Sequence, residues 1–300
     1  MIPMQDLKQS GLDITYDTIT KTLLFEGTKI TPSIRRLKDI SDTIYDKKWL
    51  GNTDPEKELY YMFRDIAKKE HKETIEKNNL RYDITVIPAS TFGKEYTKTA
   101  GHNHPLVPDT NITYTELYEV IKGEGLYLLQ KTKKNKVIDA YFIKAKAGDK
   151  IIIPPGYAHI TINQGEDILI MANWVARNFT SEYENIKTLK GAAYYITTEK
   201  TIKNPAYINR SNTIKFKTRD KRELLRLRKG EPIYNMIKEP FTLKFLTEPQ
   251  NHRRLFNYVQ EKPSTKTQIP NNSQDQKSVP SSSSPKKQTT CPQAHQASSQ

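Results

Sequence analysis

The sequence predicts an all-β barrel with an N-terminal arm and a C-terminal extension, and two observations lead there. Between Leu80 and Ala176, runs rich in Val, Ile, Tyr and Thr recur: RYDITVIPA, EYTKTAGHNH, TELYEVIKG, GLYLLQKT, VIDAYFIKA, DKIIIPP, HITINQG and DILIMANWVA. Clusters of Gly, Pro, Asn or Lys separate them, as turns separate short strands. Many short strands at this spacing build a barrel or a sandwich.

Taken in order, residues 12–40 give short extended runs, Ile14–Tyr16 and Thr22–Phe25, broken by turn residues. Residues 55–78 leave two readings open, since their charges favour a helix while LYYMF reads equally well as a strand. KTKKNK, at 131–136, reads as a solvated hairpin tip between two strands. Residues 181–258 look mixed and are expected to form an appendage packed on the barrel, with ELLRLRK (223–229) as a short helix and PFTLKFL (240–246) as a strand. The end of the chain, rich in Ser, Pro and Gln, has almost nothing to bury and is expected to be disordered. The expected divisions are therefore 1–198 for the barrel with its arm, 199–259 for a basic extension and 260–300 for a tail.

Composition narrows the function classes. The net charge of +14 is uneven: residues 1–200 hold 29 Lys/Arg against 27 acids, and residues 201–300 hold 19 against 7. The basicity belongs to the C-terminal third, where it raises the alternative of a non-enzymatic binding module; no recognised nucleic-acid motif accompanies it, so nucleic acid is not the expected partner. The one cysteine, Cys291, lies in the tail, which excludes an internal disulfide and a thiolate metal site. The N-terminus lacks a basic start followed by an apolar run, and no stretch approaches the ~18 apolar residues of a membrane span. A soluble, cytoplasmic protein is expected.

Three of the six histidines fall in an arrangement that points to a metal. His102 and His104 are one residue apart on an expected strand, so their side chains share a face. Glu116 opens the next strand, where antiparallel pairing brings it beside them. His159 follows the rigid turn Pro154-Pro155-Gly156. Three imidazoles and a carboxylate suit divalent Fe, Mn, Ni, Co or Zn. The spacings strengthen the reading: Glu116-x6-Gly123, then Gly148-x5-Pro154-x-Gly156-x2-His159-x3-Asn163. These half-motifs resemble the signature of cupins, the double-stranded β-helix or jelly-roll barrels. One departure is plain, for eleven residues separate His104 from Glu116 where the common form has three or four. Either that loop is enlarged or Glu116 is not the ligand; Glu119 is the alternative, although alternation turns it away from the side shared by Glu116 and Tyr118.

A narrower resemblance rests on Thr99-Ala-Gly-His-Asn-His104, Glu116-Leu-Tyr-Glu-Val120, Leu128-Leu-Gln130, Pro154-Pro-Gly-Tyr-Ala-His159 and Thr161-Ile-Asn163. Together with Ser33-Ile-Arg-Arg-Leu-Lys-Asp39 and Gly93-Lys-Glu95, these are similar to the cupin-type glucose-6-phosphate isomerases best known from archaea, over roughly residues 10–195. The resemblance implies interconversion of glucose 6-phosphate and fructose 6-phosphate, a step of glycolysis and gluconeogenesis, by an enediolate or a hydride shift. It implies one divalent metal, iron foremost, on His102, His104, Glu116 and His159, and catalytic roles for Glu116 and Tyr118. Thr85, Thr99 and the Gly101 backbone match positions that hold the substrate phosphate, and Tyr183 a contact to the sugar. A homodimer is expected. The rival enzyme reading is another cupin chemistry, a dioxygenase or a different sugar-phosphate isomerase. Trp174 is expected to close the barrel wall or to line the pocket.

Overall fold

The computed structural model describes residues 4–178, 180–208, 215–216 and 230–260. Met1–Lys266 make one compact unit; the second, Thr267–Gln300, lies outside the described residues, as do the expected helix at 223–229, Cys291 and the expected tail past residue 260. The N-terminal arm is a four-stranded antiparallel sheet of β1 (Met4–Asp6), β2 (Ile14–Asp17), β3 (Thr22–Phe25) and β4 (Thr28–Ile30). β5 (Ser33–Arg36) and β6 (Glu58–Phe63) follow, then β7 (Leu80–Ile87) and two very short strands, β8 (Thr91–Phe92) and β9 (Glu95–Tyr96). The ambiguous 55–78 stretch resolves into both of its readings: LYYMF is in β6, and the charged part forms a short helix at Lys72–Lys77.

The barrel is completed by β10 (Glu116–Lys122), β11 (Glu124–Lys133), β12 (Lys136–Lys146), β13 (Lys150–Ile153), β14 (Ala158–Ile162) and β15 (Leu169–Ala176). One wall is a six-stranded antiparallel sheet ordered β13-β10-β15-β7-β6-β5. The other runs β14-β11-β12, with residues 215–216 adding a parallel edge to β12. This all-β double sheet is the cupin barrel expected from the half-motifs. The expected tip at KTKKNK is the β11–β12 hairpin, turned at Lys134 with φ +52°.

Both faces of the barrel walls are covered, which explains why strands such as LIMANWVA are apolar on both faces, Asn173 apart, rather than alternating. Inside lies a core that includes Tyr118, Val120, Tyr127, Ile151, Ile153 and Met171. Outside the six-stranded wall, Leu117, Ala172, Trp174, Tyr82, Ile84 and Val86 pack against the arm's Ile14, Tyr16 and Leu23 and against Ile233, Tyr234, Leu243 and Phe245. Ile160, Ile162, Leu128 and Phe142 of the other wall are covered by Ala192, Ala193, Tyr194 and Ile196.

Two local expectations are corrected. PFTLKFL is not a strand: Pro240–Leu243 is a 3-10 turn and Lys244–Thr247 an α-helical turn. Pro240 at the first helical position presets φ for a turn, and the segment buries Leu243, Phe245 and Leu246 against the barrel without joining a sheet. EYTKTAGHNH is not a continuous strand either. After β9 it runs as extended chain tethered by single bridges, Lys98 to Ile162, His102 to His159 and Asn103 to Glu182. Gly101, at φ +72°, breaks the ladder, and a Cβ there would run into the Ile160 side chain.

Candidate metal centre

The two histidine segments are joined through their backbones. His102 N–H donates to His159 O at 3.3 Å and His159 N–H donates to His102 O at 3.2 Å, a pair of residues directly opposite one another. Their imidazoles meet edge-to-face with centroids 4.4 Å apart. Tyr157 N–H closes the Pro154-Pro155-Gly156 turn on Pro154 O at 3.4 Å, and Gly156 adopts φ +78°. Asn163, wholly buried, fastens the far end of β14: its amide donates to Ile87 O at 2.9 Å and Asp167 O at 3.0 Å. These contacts give the Pro-x-Gly-x2-His-x3-Asn spacing its physical reason.

Glu116 reaches the histidines from the opposite wall. β10 pairs with β13 and β15, not with the histidine segment, so the carboxylate approaches across the barrel rather than along a hairpin, as its place in the sequence suggests. The enlarged 105–115 loop folds back on itself, with Val107 N–H on Ile112 O at 2.8 Å and Tyr114 N–H on Pro105 O at 3.1 Å, and so takes up the extra length. One ligand atom from each of His102, His104, Glu116 and His159 lies within 4.8 Å of all the others. Of the two acidic candidates, Glu116 points inward and Glu119 outward.

The hydrogen bonds show what this cluster suits. His104 Nδ1 lies 3.0 Å from Tyr114 O, and a carbonyl only accepts, so the ring proton sits on Nδ1. His104 Nε2 faces Glu116 Oε2 at 3.2 Å. His159 Nε2 stands 3.4 Å from the same oxygen. Three imidazoles and a carboxylate converge with their ligand atoms within 4.8 Å of one another, and His104 is anchored through Nδ1 on a backbone carbonyl as metal-bound histidines are, so the donor set fits a divalent metal ion. Burial, then the neighbouring His104, pushes the His102 pKa well down; burial and the two other imidazoles do the same to His159. Both rings are held neutral, the form a metal accepts. Glu116 Oε1 accepts from Asn173 Nδ2 at 2.7 Å, which fixes the carboxylate plane. Burial, then the Glu116 charge, raises the Tyr118 phenol well above its ordinary value, so it stays protonated beside His159 Nε2 at 3.2 Å.

The cluster opens into a pocket bordered by all the expected substrate-binding and catalytic residues: Thr85, Thr99, Gly101, Tyr118 and Tyr183 line it along with His102, Glu116 and His159. His104 sits behind, buried. Trp174 is outside, its Nε1 donating to Ile233 O at 2.8 Å, so of its two expected roles it takes the wall.

Among the lining residues not expected from the sequence, Asn173, Arg81, Asp83 and Tyr60 bear most on the site. Asn173 had a signal, as the lone amide in an apolar run. Arg81, Asp83 and Thr85 alternate along β7, a polar row facing inward, of which the family resemblance marks only Thr85. Asp83 binds Arg81 Nε at 2.9 Å and Arg64 at 3.2 Å. Tyr60, whose hydroxyl accepts from Ala100 N–H at 3.1 Å, was hidden in the undecided LYYMF stretch.

Comparison with known proteins identifies the family. The family model described as Glucose-6-phosphate isomerase (GPI) matches residues 35–213, well over half of the chain. The chain is 29% identical over 151 residues to the glucose-6-phosphate isomerase of Pyrococcus furiosus, covering 50% of this chain and 71% of that protein. It is 28% identical over 208 residues to that of Thermococcus kodakarensis, covering 68% of this chain and 99% of that protein. Among solved structures, a mutant of Bacillus subtilis oxalate decarboxylase superposes with a TM-score of 0.31 at 15% identity, covering 43% of this chain and 29% of that one. On the family match, the chain belongs to the glucose-6-phosphate isomerase (GPI) family, a family of enzymes.

Proposed function

We propose that this chain is a metal-dependent aldose–ketose isomerase acting on glucose 6-phosphate and fructose 6-phosphate. The observation that carries the reading is one pocket in which Glu116 and neutral imidazoles share walls with the hydroxyls of Thr85 and Thr99 and the backbone at Gly101. Hydroxyls and N–H groups suit a phosphate dianion.

His102, His104, Glu116 and His159 would hold one divalent ion, iron as first choice, which when bound would supply a Lewis acid for the charge that develops on the sugar. Glu116 takes the proton from C2 of the open-chain aldose. The freed electron pair forms the C1–C2 double bond while the C1 carbonyl becomes an enediolate oxygen. Returning the proton to C1 and passing the O2 proton to O1, so that C2–O2 becomes the carbonyl and O1 a hydroxyl, gives the ketose. Tyr118, held protonated, donates to the oxygen that carries charge. Asn173 keeps Glu116 aimed. A second reading is favoured by one observation: both oxygens of Glu116 are engaged, by Asn173 and by the imidazoles, which weakens it as a base. Hydrogen would then pass directly from C2 to C1. The reading further includes a cytoplasmic homodimer.

The test is a coupled assay of fructose 6-phosphate isomerisation after chelation and reloading with Fe, Mn, Ni or Zn. Turnover lost on chelation and restored by a divalent transition metal is expected. A metal-loaded protein that leaves fructose 6-phosphate untouched but consumes oxygen with another substrate would replace this reading with an oxygenase.

A further inference from the structure

The segment after residue 230 lies beyond the span matched by the family, yet it bonds to residues flanking the metal centre. Thr115 Oγ1 donates to Phe245 O at 2.8 Å, and Thr115 immediately precedes Glu116. Trp174 Nε1 donates to Ile233 O at 2.8 Å, and Trp174 immediately follows Asn173. Ile233 N–H donates to Glu119 Oε2 at 2.8 Å, while Lys150 Nζ holds Glu119 Oε1 at 2.5 Å. Tyr234 lies nearly parallel to Trp174, 19° between planes, and edge-on to Tyr82.

Strand side chains alternate, so a contact that fixes an outward residue also fixes the inward aim of its neighbour. Thr115, Trp174 and Glu119 point out; Glu116, Tyr118 and Asn173 point in. All of these groups are buried, so each bond to the segment satisfies a polar atom that would otherwise be stranded.

We propose that residues 231–246 are a positioning element of the metal centre, holding the Glu116–Asn173 pair in register through Thr115, Trp174 and Glu119. The inference rests on the metal reading above. It makes the segment part of the working barrel instead of a separable appendage.

The test titrates the chelated full-length chain with Co²⁺ alone, following its visible absorption bands, with thermal unfolding alongside. Thr115→Val removes the hydroxyl at nearly constant volume; Trp174→Phe removes the indole N–H and serves as a second arm should the first variant fail to fold. Both should weaken Co²⁺ binding about ten-fold, the lower end for residues behind metal ligands, and shift the bands. Thr115→Ser should restore both. Leu23→Ala, in the same apolar cluster but on β3, should lower the unfolding midpoint and leave Co²⁺ affinity unchanged. Wild-type affinity and bands in Thr115→Val and Trp174→Phe would overturn the inference and reduce the segment to a cover. A folded wild type that binds no Co²⁺ would instead overturn the metal reading, and this role with it.

Discussion

Glu116 and Glu119 stand on the two faces of β10, and both are almost wholly buried, at 4% and 3% exposure. Their surroundings differ in one respect. Glu119 meets a cation supplied by the chain, Lys150, itself buried, together with the Ile233 N–H. Glu116 meets an amide and two imidazoles. Burying a carboxylate costs several kcal/mol unless it is paired. On the outer face the protein provides the pairing charge itself, which makes a structural clasp. On the inner face it provides an amide and imidazole nitrogens, and a bound metal would complete the charge balance. A binding site here is a place where the fold leaves its electrostatics for something else to complete.

Removing the imidazoles should break the comparison most severely. His102→Ala and His159→Ala should each lose metal and isomerase activity by more than about 100-fold, the ceiling for changes behind the ligands, while keeping a folded barrel. Elemental analysis and the coupled assay check this, and full metal content in both variants would refute the site. Glu116→Gln comes next. If the carboxylate moves the proton, kcat should fall about 10²- to 10⁴-fold with metal present. Unchanged kcat with normal metal content would hand the reaction to the direct hydrogen shift.

The outer face answers in stability. Lys150→Met strands Glu119 and should cost about 3–5 kcal/mol in urea unfolding. Adding Glu119→Gln keeps an acceptor for Ile233 N–H and removes the charge, so the double variant should return close to wild type. A double variant as weak as the single one would mean that the pair does more than balance charge.

Much of this contrast is legible in the amino-acid sequence. The half-motifs and strand alternation locate His102, Glu116 and His159 and turn Glu119 outward, because a period of two is a local rule. The route of Glu116 to the histidines is not legible, since pairing of β10 with β13 and β15 is long-range. Nor is the fold of 240–246. Its alternating apolar residues suit a strand as well as a turn, and only the barrel's outer face, assembled from distant elements, decides between them. Asn173 and Asp83 stand out as polar residues among apolar ones, but their partners lie far along the chain.

A pH experiment sharpens the inner face. Burial and neighbouring imidazoles depress His102 and His159 below the value of about 6.5 that they take when unfolded. Below that pH the unfolded chain binds more protons than the folded one, so their contribution is complete above about pH 6.5 and declines as pH falls towards their folded values. Each unit of depression is worth about 1.4 kcal/mol. Protons compete with metal for the same rings, so metal loss has the same sign. The urea midpoint of chelated protein should fall between about pH 7 and 5.5; a flat or rising midpoint would contradict rings held neutral.

The smallest expected effect concerns the proposed phosphate end of the pocket. Thr99 is clamped in the histidine segment: its N–H donates to Thr161 O at 2.9 Å, and its Oγ1 accepts from Thr161 N–H at 3.1 Å. With that lone pair engaged, the hydroxyl proton is free to donate into the pocket. The phosphate does not react, so a bond to it stabilises bound substrate and transition state alike. Thr99→Ala should therefore raise KM about ten-fold or somewhat more, as expected for a hydrogen bond to a charged group, with kcat nearly unchanged. It also strands the Thr161 N–H, so a drop in stability is expected and does not by itself decide the role. Thr99→Ser decides it, because it restores the hydroxyl to both partners and should bring KM back. If Thr99→Ala lowers kcat as much as kcat/KM, the residue acts at the metal end through the His102 backbone, and the phosphate contact is elsewhere.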